Sequence, residues 1–119
     1  MAEKEFEDVE IARRDAPDVR FRGRLLASVS SKDETRQTER RKTRWTELEL
    51  WELESGAWVA ASMACSDADG EIDFGSIEHV PADAPEDERR RRAMGLWSYS
   101  WLAKALAAKL GWDVVETLR

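Results

Sequence analysis

The sequence contains little cysteine and histidine and no long apolar run, and each shortage excludes a class of protein. A single cysteine, Cys65, cannot form an intramolecular disulfide, and one free thiol is typical of a reducing compartment. With one histidine, His79, the chain lacks the four nitrogen or sulfur ligands of a structural zinc site. The most apolar stretch, residues 96–110, is too short to cross a bilayer. We therefore expect a cytoplasmic protein without metal, cofactor or membrane contact.

Charge is abundant, and its balance is acidic. Of 119 residues, 37% are charged and the formal net charge is −6. Because nucleic-acid binding depends on neutralising phosphates, this surplus of acid argues on average against direct nucleic-acid binding, and it favours cationic partners. The length predicts one domain over residues 1–119. Residues 1–10 are acidic and lack the apolar segment of a signal peptide.

Alternating apolar residues predict an antiparallel sheet over the first two thirds of the chain. Residues 4–11 suit a weak edge strand. From residue 20 the alternation is clear, and one face of the predicted strand is formed by Phe21, Gly23, Leu25, Ala27 and Val29. Residues 31–44 are entirely polar and predict a long hairpin connection. Residues 45–53 and 58–63 flank a glycine turn, and residues 72–80 allow one further strand.

The strand over residues 45–53 has large apolar groups on both faces. Leu48 and Leu50 fall on one face, while the tryptophans Trp45 and Trp51 fall on the other, together with Glu47 and Glu49. A single helix layer covers only one face of a sheet. The second aromatic face therefore predicts a partner protein or a second copy of the chain, most simply a symmetric homodimer.

The last third of the chain predicts one long helix. Asp83 is the expected N-cap, Pro85 lies in the first turn, and Glu86 completes a capping box. The apolar periodicity then continues to residue 110, with Gly111 as the C′ residue and Gly95 as a point where the helix can bend or divide. Residues 113–118 predict a short final strand. The expected fold is α+β: an antiparallel β-meander covered on one face by a long C-terminal helix.

Two patterns resemble catalytic or metal sites without completing them. Residues 67–74, D-A-D-G-E-I-D-F, resemble half of an EF-hand loop, but the first and twelfth ligand positions would fall on Cys65 and Ser76. We interpret this segment as an acidic turn. His79 could act as a general base with Glu78 or Cys65, yet no third residue that would orient it is evident. We therefore predict no catalytic residues and no metal site.

Two basic runs and six tryptophans offer binding surfaces. The runs, residues 36–44 and 89–92, could together form a phosphate-binding face. The favoured alternative is that residues 89–92 form ion pairs with Glu86 and Glu88 along the helix. The tryptophans are either core residues or the lining of a pocket or interface.

Three segments resemble the small actinobacterial proteins called EXLDI. They are F-R-G-R-L-L-A at residues 21–27, E-L-E-L-W followed by G-A-W-V within residues 47–59, and V-V-E-T-L at residues 114–118. They are similar to that family's F-x-G-x-L-L strand, its paired strands around a glycine turn, and its terminal E-x-L. Arg119 replaces the family's final D-I, and the family's N-terminal helical region is missing. Since the family has no established activity, the resemblance implies a fold and no function.

The favoured hypothesis is a non-enzymatic protein that acts through a protein–protein interface. The predicted contacts are Trp45, Glu47, Glu49, Trp51, Trp97 and Trp101. A small acidic domain of this kind also suits a phage- or plasmid-borne inhibitor, such as an anti-CRISPR-like protein, that presents carboxylates to the basic groove of a nucleic-acid-handling complex.

Two other hypotheses remain open. The protein could bind a nucleic acid or a phosphate ligand through the arginine-rich loop 36–44, with Arg40, Arg41 and Arg44 as phosphate contacts. The least favoured hypothesis is an enzyme that uses His79.

Overall fold

Five strands and three helices make up the described part of the chain. The computed structural model describes residues 5–34, 44–66, 73–115 and 118. The elements are β1 (Glu7–Ile11), β2 (Val19–Ser30), α1 (Ser31–Glu34), β3 (Arg44–Leu53), β4 (Trp58–Ser66), β5 (Phe74–Val80), α2 (Glu86–Leu96) and α3 (Trp101–Leu110). The strands form one antiparallel sheet in the order β1-β2-β3-β4-β5. The predicted α+β class and β-meander are therefore confirmed. None of the described helices is long and apolar enough to cross a membrane.

Strand β2 changes face halfway along its length. Leu25 lies opposite Trp51 on β3, but the next paired residue, Ala27, lies opposite Leu50, so Leu26 is the extra residue of a β-bulge. The predicted unbroken alternation from Phe21 to Val29 is therefore wrong. Of the residues predicted to share one face, Phe21, Gly23 and Leu25 lie on the side of Trp51, which we call the inner side of the sheet. Ala27 and Val29 lie on the side of Leu50, which we call the outer side.

The sheet is curled, so that its first and last strands meet. The Gly75 backbone N–H of β5 donates a 2.8 Å hydrogen bond to the carbonyl of Ala12, just after β1. Ile11 and Gly75 lie in contact there, both on the inner side. The curl encloses the inner side, where Ile11, Trp51 and Val59 are each no more than 6% exposed. The aromatic face predicted to need a partner is thus largely buried within the chain itself.

The main hydrophobic core joins the outer side of the sheet to the two longer helices. Leu50, Ala60 and Val80 from the strands are fully buried against Met94 and Leu106 from the helices. The other buried members of this cluster are Val29, Leu48, Trp58, Ala93, Trp97, Leu102, Ala103 and Ala107. Burial of each large side chain contributes about 1.5–3 kcal/mol. The core therefore fixes how the helices lie on the sheet.

The predicted single long helix is in fact two helices. Helix α2 ends at Leu96, and Ser98 and Tyr99 take left-handed backbone conformations with φ of 58° and 48°. Ser100 then caps α3, since its hydroxyl accepts a 3.1 Å hydrogen bond from the Ala103 N–H. The break therefore follows Gly95, which lies within α2, by three residues.

Predictions for the two ends of the helical region had different outcomes. The predicted cap at Asp83 is wrong: Pro85 occupies the N-cap position of α2 and provides no side-chain cap. Gly111 does end α3 with φ of 75°, as predicted. Residues 113–115 are irregular and do not form the predicted final strand, whose next two residues lie outside the described part.

Candidate functional site

Part of the outer side of the sheet is left uncovered by the helices. Toward the end of β3 and β4 where Thr46 and Ala64 pair, the buried apolar residues give way to small and hydroxyl side chains. Three hollows of about 520, 440 and 240 Å³ lie here. They adjoin one another, because Thr46 lines all three. We call these three adjoining hollows together the outer groove.

Hydroxyl groups and small side chains form the middle of the outer groove. Ser62 lines the first and third hollows, and Ser31 lines the second and third. The Ser31 hydroxyl accepts a 3.0 Å hydrogen bond from the Thr46 N–H, which joins α1 to the edge of the groove. Ala64 adds a small apolar contact. An extended polypeptide or another slender polar ligand could lie against such a surface.

Arginines surround one end of the outer groove. Arg13 and Arg14 line the first hollow, and Arg14 and Arg44 line the second. The Arg14 guanidinium lies 4.9 Å from the centre of the Phe74 ring, a cation–π contact. The Arg13 side chain donates a 2.7 Å hydrogen bond to the carbonyl of Pro17. Among the described residues, arginines outnumber acids at this end, although the protein as a whole is acidic.

A tryptophan lies at the other end of the outer groove. Trp101, the first residue of α3, lines the third hollow and is 56% exposed. Its neighbour in the same hollow, Trp97, is buried and donates a 3.0 Å hydrogen bond from its indole N–H to the Ala61 carbonyl. The α2–α3 turn, held by this bond and by the Ser100 cap, presents Trp101 on a fixed support.

The predicted partner-binding residues divide among three places in the fold. Trp45, Glu47, Glu49 and Trp51 lie together on the inner side of the sheet. Trp97 belongs to the core, and Trp101 lies at the groove. Trp51 and Trp97 are only 6% and 3% exposed, so they offer little surface to a partner. Of the six, Trp101 presents the largest exposed aromatic surface.

On the inner side, each glutamate accepts a hydrogen bond from a tryptophan two residues away. The Trp45 indole N–H donates to Glu47 over 3.2 Å, and the Trp51 indole N–H donates to Glu49 over 3.1 Å. Burial raises the pKa of Glu49, opposed by the Trp51 hydrogen bond and reinforced by the charges of Glu47 and Glu7. These contacts orient the two indoles and place the four predicted residues in two hydrogen-bonded pairs, which we together call the inner network.

The single cysteine lies beside this network in its thiol form. The Cys65 Sγ donates to a Glu47 carboxylate oxygen over 3.5 Å. Burial, followed by the negative charges of Glu47 and Asp73, raises the pKa of Cys65 to about 12. A buried thiol with such a pKa is a poor nucleophile at neutral pH.

The structure does not assemble the hypothetical His79 site. His79 lies opposite Val59, whereas Cys65 is six residues farther along β4, a separation of about 20 Å along the strand. Glu78 lies on the other side of the sheet from His79 and forms a 2.7 Å ion pair with Arg92. Neither proposed partner is therefore placed to orient the imidazole.

The two predicted basic runs have separate outcomes. Along α2, Arg90 pairs with Glu86 at 3.1 Å, as predicted, while Arg91 pairs with Asp87 at 3.8 Å. Arg44 lies at the outer groove, whereas Arg40 and Arg41 lie outside the described residues. The EF-hand-like segment also lies mostly outside them, so its prediction is not examined by the structure.

Sequence reasoning missed the groove arginines Arg13 and Arg14. They lie in the connection between β1 and β2, just before Pro17. Adjacent arginines in a short connection between strands are a usable signal. The position of Arg14 in the same hollow as Arg44, however, depends on the curl that brings the end of β1 to β5.

The chain was also compared with known proteins. Comparisons with protein-family models, with curated proteins and with solved structures found no match, so the resemblance to EXLDI proteins stays a prediction.

Proposed function

We propose that the protein is a non-enzymatic binding domain that holds a segment of a partner protein in the outer groove. The observation that carries the proposal is the 56% exposure of Trp101 on a fixed turn at the end of that groove. Tryptophan is enriched among the few residues that dominate binding energy at interfaces. Tyr99, which is 45% exposed on the same turn, lines a separate hollow with Lys104 and is not part of the groove.

The backbone of the turn supports the same proposal. Ser98 and Tyr99 both have positive φ, a conformation that disfavours residues other than glycine. Strain of this kind clusters at ligand-binding sites, where the surrounding fold maintains it. The hydrogen bond from the Tyr99 N–H to the Met94 carbonyl, 3.0 Å long, is one of the contacts that maintain it.

Homodimer formation is a separate proposal, and the surface that would form the dimer contact differs from the one that the sequence indicated. The sequence argument required a partner to cover the inner aromatic face, but Trp51 and its neighbours there are buried within one chain. A two-fold contact would therefore be centred on Trp101 and Tyr99. Sedimentation analysis of the wild type and of Trp101→Ala tests it, because only the former should dimerise.

The test of the proposed function is co-purification with mass spectrometry, using wild type, Trp101→Ala and Lys104→Ala as baits. Lys104 is exposed one turn farther along α3 and does not line the three hollows of the groove, so it provides a matched control. We expect one specific partner to be retained by the wild type and by Lys104→Ala. Trp101→Ala should lose about 2 kcal/mol of binding energy, or roughly thirtyfold in affinity.

Two outcomes would contradict the proposal. One is recovery of no partner by the wild type at either low or high salt. The other is equal recovery by all three baits, which would show that the partner does not contact Trp101. Circular dichroism of each variant establishes that the baits are equally folded.

A further inference from the structure

We infer that the arginine end of the outer groove binds the carboxylates of an acidic segment in the partner. This inference rests on the proposed function and specifies the chemistry of its ligand. Among the described residues that line the first two hollows, three are arginines and one, Asp15, is acidic. The described lining of these hollows is therefore mainly basic, in a protein whose net charge is −6.

The bonding of Arg14 distinguishes it from the arginines elsewhere in the described chain. Arg20, Arg22 and Arg24 each form an ion pair with an acid across the sheet. Arg14 instead lies over Phe74, and no described residue forms a hydrogen bond or an ion pair with its guanidinium. The guanidinium is planar, and its fixed pairs of N–H groups suit bidentate bonding to a carboxylate.

Arg13 and the neighbouring hydroxyls extend the same site. The only hydrogen bond of the Arg13 guanidinium to a described residue goes to a neutral carbonyl, that of Pro17. Ser62 and Ser76 line the same hollow and can each donate to a carboxylate oxygen. The first hollow thus combines cationic and neutral donors, which a chain of acidic side chains can engage successively.

An extended acidic polypeptide fits this arrangement better than a nucleic acid. The groove passes from arginines through small hydroxyl side chains to Trp101, and the described aromatic residues of this part are not stacked in a row for successive bases. The acidic remainder of the protein repels a long phosphate backbone, whereas a short acidic segment meets only the basic end.

The inference is tested by fluorescence anisotropy with labelled hexaglutamate, hexalysine and oligothymidylate. Wild type should bind hexaglutamate in preference to both other probes, and binding should weaken as salt is raised. Arg14→Ala should weaken it about tenfold, since it removes a charge-assisted hydrogen bond. The affinity of Arg14→Lys for hexaglutamate should lie between those of wild type and Arg14→Ala, because lysine keeps the charge without the planar donors. Arg91→Ala, an exposed arginine paired with Asp87 on α2, should have no effect.

Three results would overturn the inference: no binding of hexaglutamate at millimolar concentration, an equal loss for Arg14→Ala and Arg91→Ala, or tighter binding of oligothymidylate. The last would identify a nucleic-acid groove instead. If hexaglutamate fails to bind while a partner is still captured in a Trp101-dependent manner, the inference fails and the proposed function stands. If hexaglutamate binds in an Arg14-dependent manner but no partner protein is captured, the carboxylate-binding role of the arginine end stands and the proposed function fails.

Discussion

A single methyl group at Gly75 should destabilise the protein, because it would be placed inside the closure of the curled sheet. An ideal Cβ at Gly75 lies 2.5 Å from the Met63 sulfur and 2.6 Å from the Ile11 Cγ2. Non-bonded carbon atoms normally lie about 3.5–4.0 Å apart. Gly75→Ala therefore requires both neighbours to move by about 1 Å.

The two neighbours differ in how easily they can move. Met63 is flexible and can turn its sulfur aside at small cost. Ile11 is β-branched and 3% exposed, so its Cγ2 can move only if β1 shifts away from β5. Overpacking of this kind costs about 1–3 kcal/mol, against which the lower entropy of an unfolded alanine chain returns about 0.5 kcal/mol. We expect a net loss of about 1–2 kcal/mol.

Urea unfolding followed by tryptophan fluorescence measures this loss, with Gly95→Ala as the matched control. Gly95 lies within α2 and has no atom within 4 Å of its ideal Cβ, so alanine should stabilise there by about 0.5–1 kcal/mol. The double variant Ile11→Ala/Gly75→Ala should lose less free energy of unfolding than the sum of the losses measured for the two single variants. If Gly75→Ala is as stable as the wild type, the close contact between Ile11 of β1 and Gly75 of β5 is refuted.

Three more predictions concern the turn and the inner network. Tyr99→Gly should stabilise the fold by about 1 kcal/mol, measured by urea unfolding, because glycine adopts φ of 48° without strain; destabilisation would contradict this. For Glu49, the folded pKa is raised above its unfolded value, so its contribution to stability falls as pH rises from the unfolded pKa through the folded one. Glu49→Gln should remove that slope from unfolding curves measured across acidic pH, and an unchanged slope would assign it to other groups. Cys65 should resist iodoacetamide at pH 8 until urea unfolds the chain, whereas rapid native labelling would contradict its burial and raised pKa.

Local sequence patterns predicted the strands well, because each depends on neighbours along the chain. The alternation around Leu48 and Leu50, the turn at Gly56 and the ending of α3 at Gly111 all follow from such patterns. The bulge at Leu26 escaped prediction, because Leu25, Leu26 and Ala27 are compatible with either face. Pairing with β3 decides between them.

A division of the helix was allowed for at Gly95, but the position of the break, at Ser98 and Tyr99, was missed for a related reason. Apolar residues continue with helical spacing from Met94 past Leu102, so the periodicity shows no interruption. With the chain turned at Ser98 and Tyr99, Trp97 and Leu102 both belong to the core on the sheet, a tertiary requirement that the local pattern does not contain. A serine at an N-cap position, Ser100, was the local signal available for a new helix.

The candidate site was only partly predictable. Trp101 and Arg44 were selected from their residue type, and both lie at the outer groove. Arg14 was not selected, since nothing local shows that a connection after β1 lies beside β5. Contacts between the first and last strands of a sheet depend on its overall twist and curl.

The hydrogen bond between Gly75 and Ala12 holds the curled sheet closed and also holds one end of the groove in position. The chain leaving this bond immediately supplies Arg13 and Arg14, so the segment that closes the sheet also carries the cationic end of the groove. Any ligand that binds only when this segment is docked adds its binding free energy to the closed state. Exchange of the Gly75 amide hydrogen with solvent should then slow in proportion to ligand occupancy, making one backbone amide a reporter of binding.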